Sequence, residues 1–147
     1  MGDSALSSKF SGIPYYRTAL QSHLTGFRVV YKQTDLLVLA DKDLTDDTLR
    51  LVMEIRKPLE GYIMKNPLFL KSLEPLSVDP LAPPIVQRML FAGKVAGVGP
   101  MASVAGAIAE EVGKALLEKG LTKEIVVENG GDIFLSLKKE ARVSLFA

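Results

Sequence analysis

Asn129-Gly130-Gly131-Asp132 sets an amide, a carboxylate and two flexible peptide units at one bend, between the apolar runs Ile125-Val126-Val127 and Ile133-Phe134-Leu135. Oxygens of this kind suit Mg²⁺ or a ribose hydroxyl, and an Asn-Gly turn in a plain hairpin accounts for the same residues equally well. A second constellation lies upstream. Gly97-Val98-Gly99-Pro100-Met101-Ala102 spells G-x-G-x-x-A. No clear strand precedes it, however, and Pro100 removes an N–H that would cradle phosphate, so a dinucleotide loop is a poor reading. The same residues open a helix, whose first N–H groups and dipole favour an anion; a tight helix start explains them too. Ala102, Ser103, Ala105, Gly106, Ala107 and Ala109 then make a side of small residues. Such a side admits an aromatic ring or another backbone, or lets the helix lie close on a sheet. Glu110 and Glu111 follow, as polar contacts or as a solvated face. The candidate ligand contacts are therefore Gly99, Met101, Ala102, Ser103, Gly106, Glu110, Asn129, Gly130, Gly131 and Asp132; no catalytic residue and no metal-ligand set is assigned.

The rest of the composition narrows the chemistry. With no Cys and one His, thiolate nucleophiles, disulfides, Fe–S clusters and Cys/His zinc sites are excluded. Any metal must be held by oxygen. The lone His23 reads as structural. Eighteen Lys and Arg against seventeen Asp and Glu leave no field strong enough to gather nucleic acid or an anionic membrane. The first ten residues lack the basic and apolar regions of a signal peptide, and no apolar run approaches a membrane span, so the expected location is the cytoplasm. A mean hydropathy of +0.21 is high for a small monomer, which points to apolar surface shared with a second subunit or with a missing part of the fold.

Several elements must hold these groups in place. Phe27 to Tyr31 and Leu36 to Ala40 are β-rich runs separated by Lys32-Gln33-Thr34-Asp35, the pattern of an antiparallel hairpin. Asp43 or Thr45 caps a helix whose apolar positions Leu49, Val52, Ile55, Leu59 and Ile63 keep helical spacing; Pro58 should kink it and Asn66-Pro67 should end it. Five prolines between positions 67 and 84 predict an irregular crossover. A helix follows from Pro83-Pro84 to about Ala92, turning Ile85, Met89 and Leu90 inward. Another runs from Gly99-Pro100 to a stop at Gly120, with Val104, Ile108, Val112 and Leu116 as its stripe. The strand at Ile125 should bend or bulge at Gly130-Gly131 and resume, and Arg142 to Phe146 should form a last strand. The expectation is one α+β layered domain over residues 1–147, an antiparallel or mixed sheet packed with helices, incomplete at its C-terminus where an apolar run stops at Ala147.

Taken in order along the chain, Tyr16-Arg17, Thr34-Asp35-Leu36, Pro67 to Leu73, Gly97 to Glu111 and Glu128 to Ile133 resemble the uncharacterised bacterial and archaeal proteins related to ApbE. That resemblance covers nearly the whole chain. A weaker one, confined to the small-residue helix and the Gly-Gly-Asp strand, reaches the ApbE transferases, which use Mg²⁺ to move FMN from FAD onto a protein Thr or Ser. It implies that Gly106 and Glu110 stand where a Lys-Gly-Tyr-Ala-x-Asp helix has its Gly and Asp, and that Gly130, Gly131 and Asp132 match the Asn-x-Gly-Gly-Asp strand. Ala105 replaces the Lys, whose contact Lys94 or Lys114 would have to supply. A further metal-binding Asp-Ala-x-x-Thr segment has no counterpart before Ala147, and family members are longer than this chain, so a truncated product is expected.

The resemblance thus implies a phosphate-bearing ligand, FAD or FMN first, with Mg²⁺, lying between Gly99 and Gly130. Independent transferase activity is not expected of these 147 residues. The alternative is a non-catalytic homo-oligomeric scaffold or accessory protein, linked through its uncharacterised relatives to sulfur assimilation. Lacking Cys, it would carry no persulfide itself.

Overall fold

The computed structural model describes residues 23–138. Strands β1 (Thr25–Tyr31) and β2 (Thr34–Ala40) form the first hairpin, and β3 (Ile125–Asn129) and β4 (Asp132–Ser136) the second. The sheet runs β1-β2-β3-β4 and every neighbour is antiparallel. Between β2 and β3 the chain builds the helical layer: α1 (Thr45–Lys65), α2 (Pro67–Lys71), α3 (Pro84–Ala96), a 3₁₀ turn (Pro100–Ser103) and α4 (Val104–Glu118). The expected α+β layering is what the described residues adopt.

Alternation explains how the layers meet. Side chains two apart on a strand share a face, so Phe27, Val29, Leu36, Val38, Ala40, Ile125 and Val127 all turn toward the helices. They join Val52 and Leu59 of α1, Ile85, Val86, Met89 and Leu90 of α3, and Ile108, Val112 and Leu116 of α4 in one core. Burying each of the larger side chains, Val, Leu, Ile, Phe or Met, contributes roughly 1.5–3 kcal/mol. On the opposite face Leu37, Leu39 and Val126 are also buried, packed with Leu24, Ile133 and Leu137.

Several local expectations are amended. The loop between β1 and β2 is shorter than the four residues expected, because Tyr31 pairs with Thr34 and leaves only Lys32-Gln33 to turn. Gly130-Gly131 do not bend one continuous strand; Asn129 pairs with Asp132 and the two glycines are a complete hairpin turn. Their φ values of 57° and 96° are both left-handed, the backbone a two-residue turn needs to match the strand twist. Helix α1 runs as a single 21-residue element through Pro58 to the stop expected at Asn66. Its N-cap is Leu44 rather than Asp43 or Thr45, with no side-chain cap, and the Asp43 carboxylate just before it accepts the Thr45 N–H at 2.9 Å.

The proline-rich crossover contains a five-residue helix, α2, that its composition did not predict. Pro67 occupies the first turn, where its missing N–H costs nothing, and Phe69 is buried edge-on against Tyr62 at 5.3 Å between ring centres. Helix α3 continues one turn beyond Ala92, to Gly97 in a left-handed cap at φ 72°. The stretch from Pro100 is first a 3₁₀ turn and becomes α-helical only at Val104. The last expected strand, Arg142 to Phe146, lies outside the described residues.

Candidate functional site

The small-residue helix and the Gly-Gly turn do meet. Asn129 donates from Nδ2 to the Ala105 carbonyl at 3.1 Å, and a methyl built on Gly130 would stand 3.9 Å from the Ala105 methyl. One residue on, Gly106 faces Asp132, whose Cγ would lie 3.6 Å from an added methyl. These contacts are close but ordinary. Farther along α4, Gly113 takes the Phe134 ring so tightly that an added methyl would lie 2.2 Å from it. That pair sets how near β4 can come to α4. The seam is packed, and the open space lies beside it.

That space is a cavity of about 400 Å³. Leu59 and Ile63 of α1, Leu70 of α2, Met101 of the 3₁₀ turn and Val104, Ala105 and Ile108 of α4 make its apolar walls. Its polar groups come from Gln33 and Thr34 at the first hairpin turn, Arg56 and Glu60 of α1, and Asn129 at the second. Thr34 and Asn129 are brought side by side because Leu36 pairs with Asn129 across β2 and β3. Asn129 is 7% exposed; with its amide nitrogen spent on Ala105, its Oδ1 makes no hydrogen bond among the described residues.

Arg56 is the chief cation of the cavity wall. It lies on the inward side of α1, four residues after Val52 and three before Leu59, and only 13% of its side chain is exposed. Its guanidinium donates from Nη1 to Thr34 Oγ1 at 2.6 Å, from Nη2 to Gln33 Oε1 at 2.9 Å and from Nε to Glu60 Oε1 at 3.2 Å. Lys32 reaches both oxygens of the same Glu60, at 2.9 and 3.0 Å. Hydrogen bonding from Lys32 holds the Glu60 carboxyl below its ordinary value, and the same contact raises Lys32. Glu60 is therefore a carboxylate shared by two cations.

Of the residues singled out in the sequence, Met101 and Asn129 line the cavity. Gly130, Gly131, Gly106 and Asp132 belong to the adjoining seam. Gly99 is taken up by the chain itself: its N–H donates to the Leu73 carbonyl at 3.0 Å, and an added methyl would lie 1.8 Å from the Ser72 carbonyl oxygen. The Ala102 N–H returns to the Gly99 carbonyl and the Ser103 hydroxyl to the Pro100 carbonyl, so this helix start spends its polar groups on its own turns. Glu110 points elsewhere, to Arg88 at 2.8 Å and Lys114 at 2.8 Å, and the Lys114 contact keeps its carboxyl low. Neither Lys94 nor Lys114 lines the cavity. His23 meets the Glu124 carboxylate at 2.8 Å, tying the residues before β1 to those before β3.

Gln33, Thr34, Arg56 and Glu60 were not among the candidate ligand contacts. The available signal was Arg56 itself, a charged residue set in the apolar phase of α1, where a cation needs partners or a ligand. Among the described residues no three His, Asp or Glu side chains converge to hold a metal ion. Mg²⁺ asks for near-octahedral oxygen ligands. Glu110 is engaged by two cations, and among the described residues Asp132, beside Gly106, belongs to no cluster of three possible ligands, so these residues do not fit that ion. No single helix among the described residues is long and apolar enough to cross a membrane.

The family described as AbpE bacteria matches residues 17–147. The chain belongs to the AbpE bacteria family. The chain is similar to a UPF0280 protein of Methanocaldococcus jannaschii, 46% identical over 122 residues, covering 82% of this chain and 48% of the relative. A UPF0280 protein of Archaeoglobus fulgidus is 36% identical over 121 residues, covering 82% and 51%. One of Methanospirillum hungatei is 39% identical over 117 residues, covering 79% and 47%. The chain thus spans about half the length of the curated relatives it matches.

Proposed function

We propose that this AbpE-family chain binds a small planar ligand in the cavity between α1, α4 and the two hairpin turns, with a flavin nucleotide, FMN or FAD, as the first ligand to test. The observation that carries this reading is the cavity's composition: about 400 Å³, with apolar side chains from four elements and polar groups from the two hairpin turns and α1. Small-molecule sites typically have volumes of roughly 300–1,000 Å³, apolar walls and a few polar groups that fix orientation. Ala105 leaves room for a flat ring against α4, and the Asn129 Oδ1 and Thr34 hydroxyl are partners for the N–H and carbonyl edge of a heterocycle. The likeness of the Gly106 and Gly130-Gly131-Asp132 motifs to the FMN transferases supports flavin over other flat ligands. Since the described carboxylates do not fit Mg²⁺, the reading is confined to binding and includes no phosphoryl-transfer step.

Titration of the full chain with FMN, FAD and riboflavin, followed by flavin fluorescence, tests this. Saturable binding below a millimolar is expected. Ala105→Leu, which fills the cavity, should abolish it while the circular dichroism stays native. Failure of every flavin to bind the folded protein at millimolar concentration overturns the flavin reading.

A second reading, a cytoplasmic homo-oligomeric scaffold, is favoured by one observation. Helix α3 turns Phe91 and Val95 outward, four residues apart and 63% and 72% exposed, and Val98 just past its cap is 37% exposed. Light scattering should then give a mass above one chain, and Phe91→Glu should return it to a monomer.

A further inference from the structure

Resting on the binding reading above, we infer that the polar end of the cavity, where Lys32, Arg56 and Glu60 converge, recognises one compact anionic group of the ligand, a phosphate or carboxylate. Two features of the geometry carry this. The first is charge. Lys32 and Arg56 share the single carboxylate of Glu60, while the other partners of Arg56, Thr34 and Gln33, are neutral. The cluster therefore keeps one uncompensated positive charge. Arg56 and Glu60 are the charged groups among the cavity's lining residues, and Lys32, outside that lining, draws on both oxygens of the same Glu60, so Glu60 offsets the Arg56 charge at the cavity only in part. A guanidinium 13% exposed on an apolar helix face is costly to desolvate, and an anion from the ligand would offset the part that Glu60 does not.

The second is unused donor capacity. A guanidinium has five N–H groups, and three of those on Arg56 go to Glu60, Thr34 and Gln33. Two are without a protein partner among the described residues. The planar fork suits the oxygens of phosphate and carboxylate, and its strongest bonds are to charged acceptors. Its three protein partners also hold the fork still, so little orientational freedom remains to be lost on binding. The work is then divided: Asn129, at the second hairpin turn, meets the edge of the ligand body and Arg56 of α1 meets its charge.

A purely structural Arg56, one that only pins the first hairpin turn to α1, predicts the same hydrogen bonds, and the test separates the two roles. FMN and riboflavin share a ring and differ in one phosphate. At low salt the wild-type chain should bind FMN roughly tenfold or more tighter than riboflavin, and Arg56→Gln should erase the difference, a loss of about 10- to 100-fold for FMN alone. Because R56Q removes bonds that hold the turn, Glu60→Gln provides the opposing variant. It raises the local charge and should tighten FMN roughly three- to tenfold, leaving riboflavin unchanged. Loss of structure does not tighten binding.

Equal affinity for FMN and riboflavin in the wild type, an FMN preference that survives R56Q, or weaker FMN binding by E60Q each overturns the anion site while leaving the flavin cavity intact. If no flavin binds, the flavin reading alone falls, and anilinonaphthalene sulfonate, an apolar body with one anion, decides the site. Its fluorescence with the folded chain should fall in R56Q and rise in E60Q. Indifference to both variants overturns the inference.

Discussion

The two hairpin turns that flank the cavity solve one backbone problem in opposite ways. Gly130-Gly131 meets the left-handed angles with residues that have no side chain, which lets the turn press against Ala105 of α4. Lys32-Gln33 meets them with Lys32 held at φ 52°, an uncommon angle for a residue with a Cβ. In return it delivers a cation to Glu60 and an amide oxygen to Arg56. One turn provides proximity and the other provides charge. The glycine turn is conspicuous in a sequence and carries little chemistry of its own, whereas the plainer turn carries much of the polar equipment.

If the second hairpin works by close approach, the sharpest way to break it is to add volume where β4 meets α4. Gly113→Ala sets a methyl 2.2 Å from the Phe134 ring and should cost about 3 kcal/mol, lowering the thermal midpoint by roughly 6–12 °C in calorimetry. Within the turn itself Gly131→Ala meets no neighbour but is strained at φ 96°. It should cost about 1–2 kcal/mol in urea denaturation. Gly106→Ala, whose methyl would make only ordinary contact with Asp132, should be tolerated within about 0.5 kcal/mol despite its place in the motif.

For the first hairpin the effects are smaller and more chemical. Thr34→Val removes the acceptor of Arg56 Nη1 and should cost about 1 kcal/mol. The least effect is expected from pH. The Glu60 carboxyl is held below its ordinary 4.5, so its ion pairs contribute above that pH, and the contribution is lost as pH falls through the lowered value. Glu60→Gln should accordingly flatten the acid limb of the stability profile below about pH 4.5, and salt should mimic part of the change, since Lys32 and Glu60 are 48% and 33% exposed.

Much of the helical layer was legible because periodicity reports which side of a helix turns inward. Ile108, Val112 and Leu116 are buried as their spacing demands, and so are Ile85, Met89 and Leu90. Glycine and alanine were less informative. They announce that something comes close without saying what, and at Gly99 the visitor is the Ser72 carbonyl of the chain itself. Arg56 was legible as a position and illegible as a function: its neighbours Thr34 and Gln33 lie 22 and 23 residues earlier, on another element, and only the folded register brings them within reach. The five-residue α2 escaped for a related reason, since burial of Phe69 against Tyr62 outweighs a composition that argues for irregular chain.

Leu36 pairs with Asn129, and the hollow beside that pair takes walls from the first hairpin, the long helix and the segment after Gly99 alike. No local stretch of sequence contains the whole receptacle. Occupancy would therefore act as a clasp on the complete domain: a bound molecule should delay cooperative melting throughout, by an amount that grows with the logarithm of its concentration, and should not merely quiet one loop.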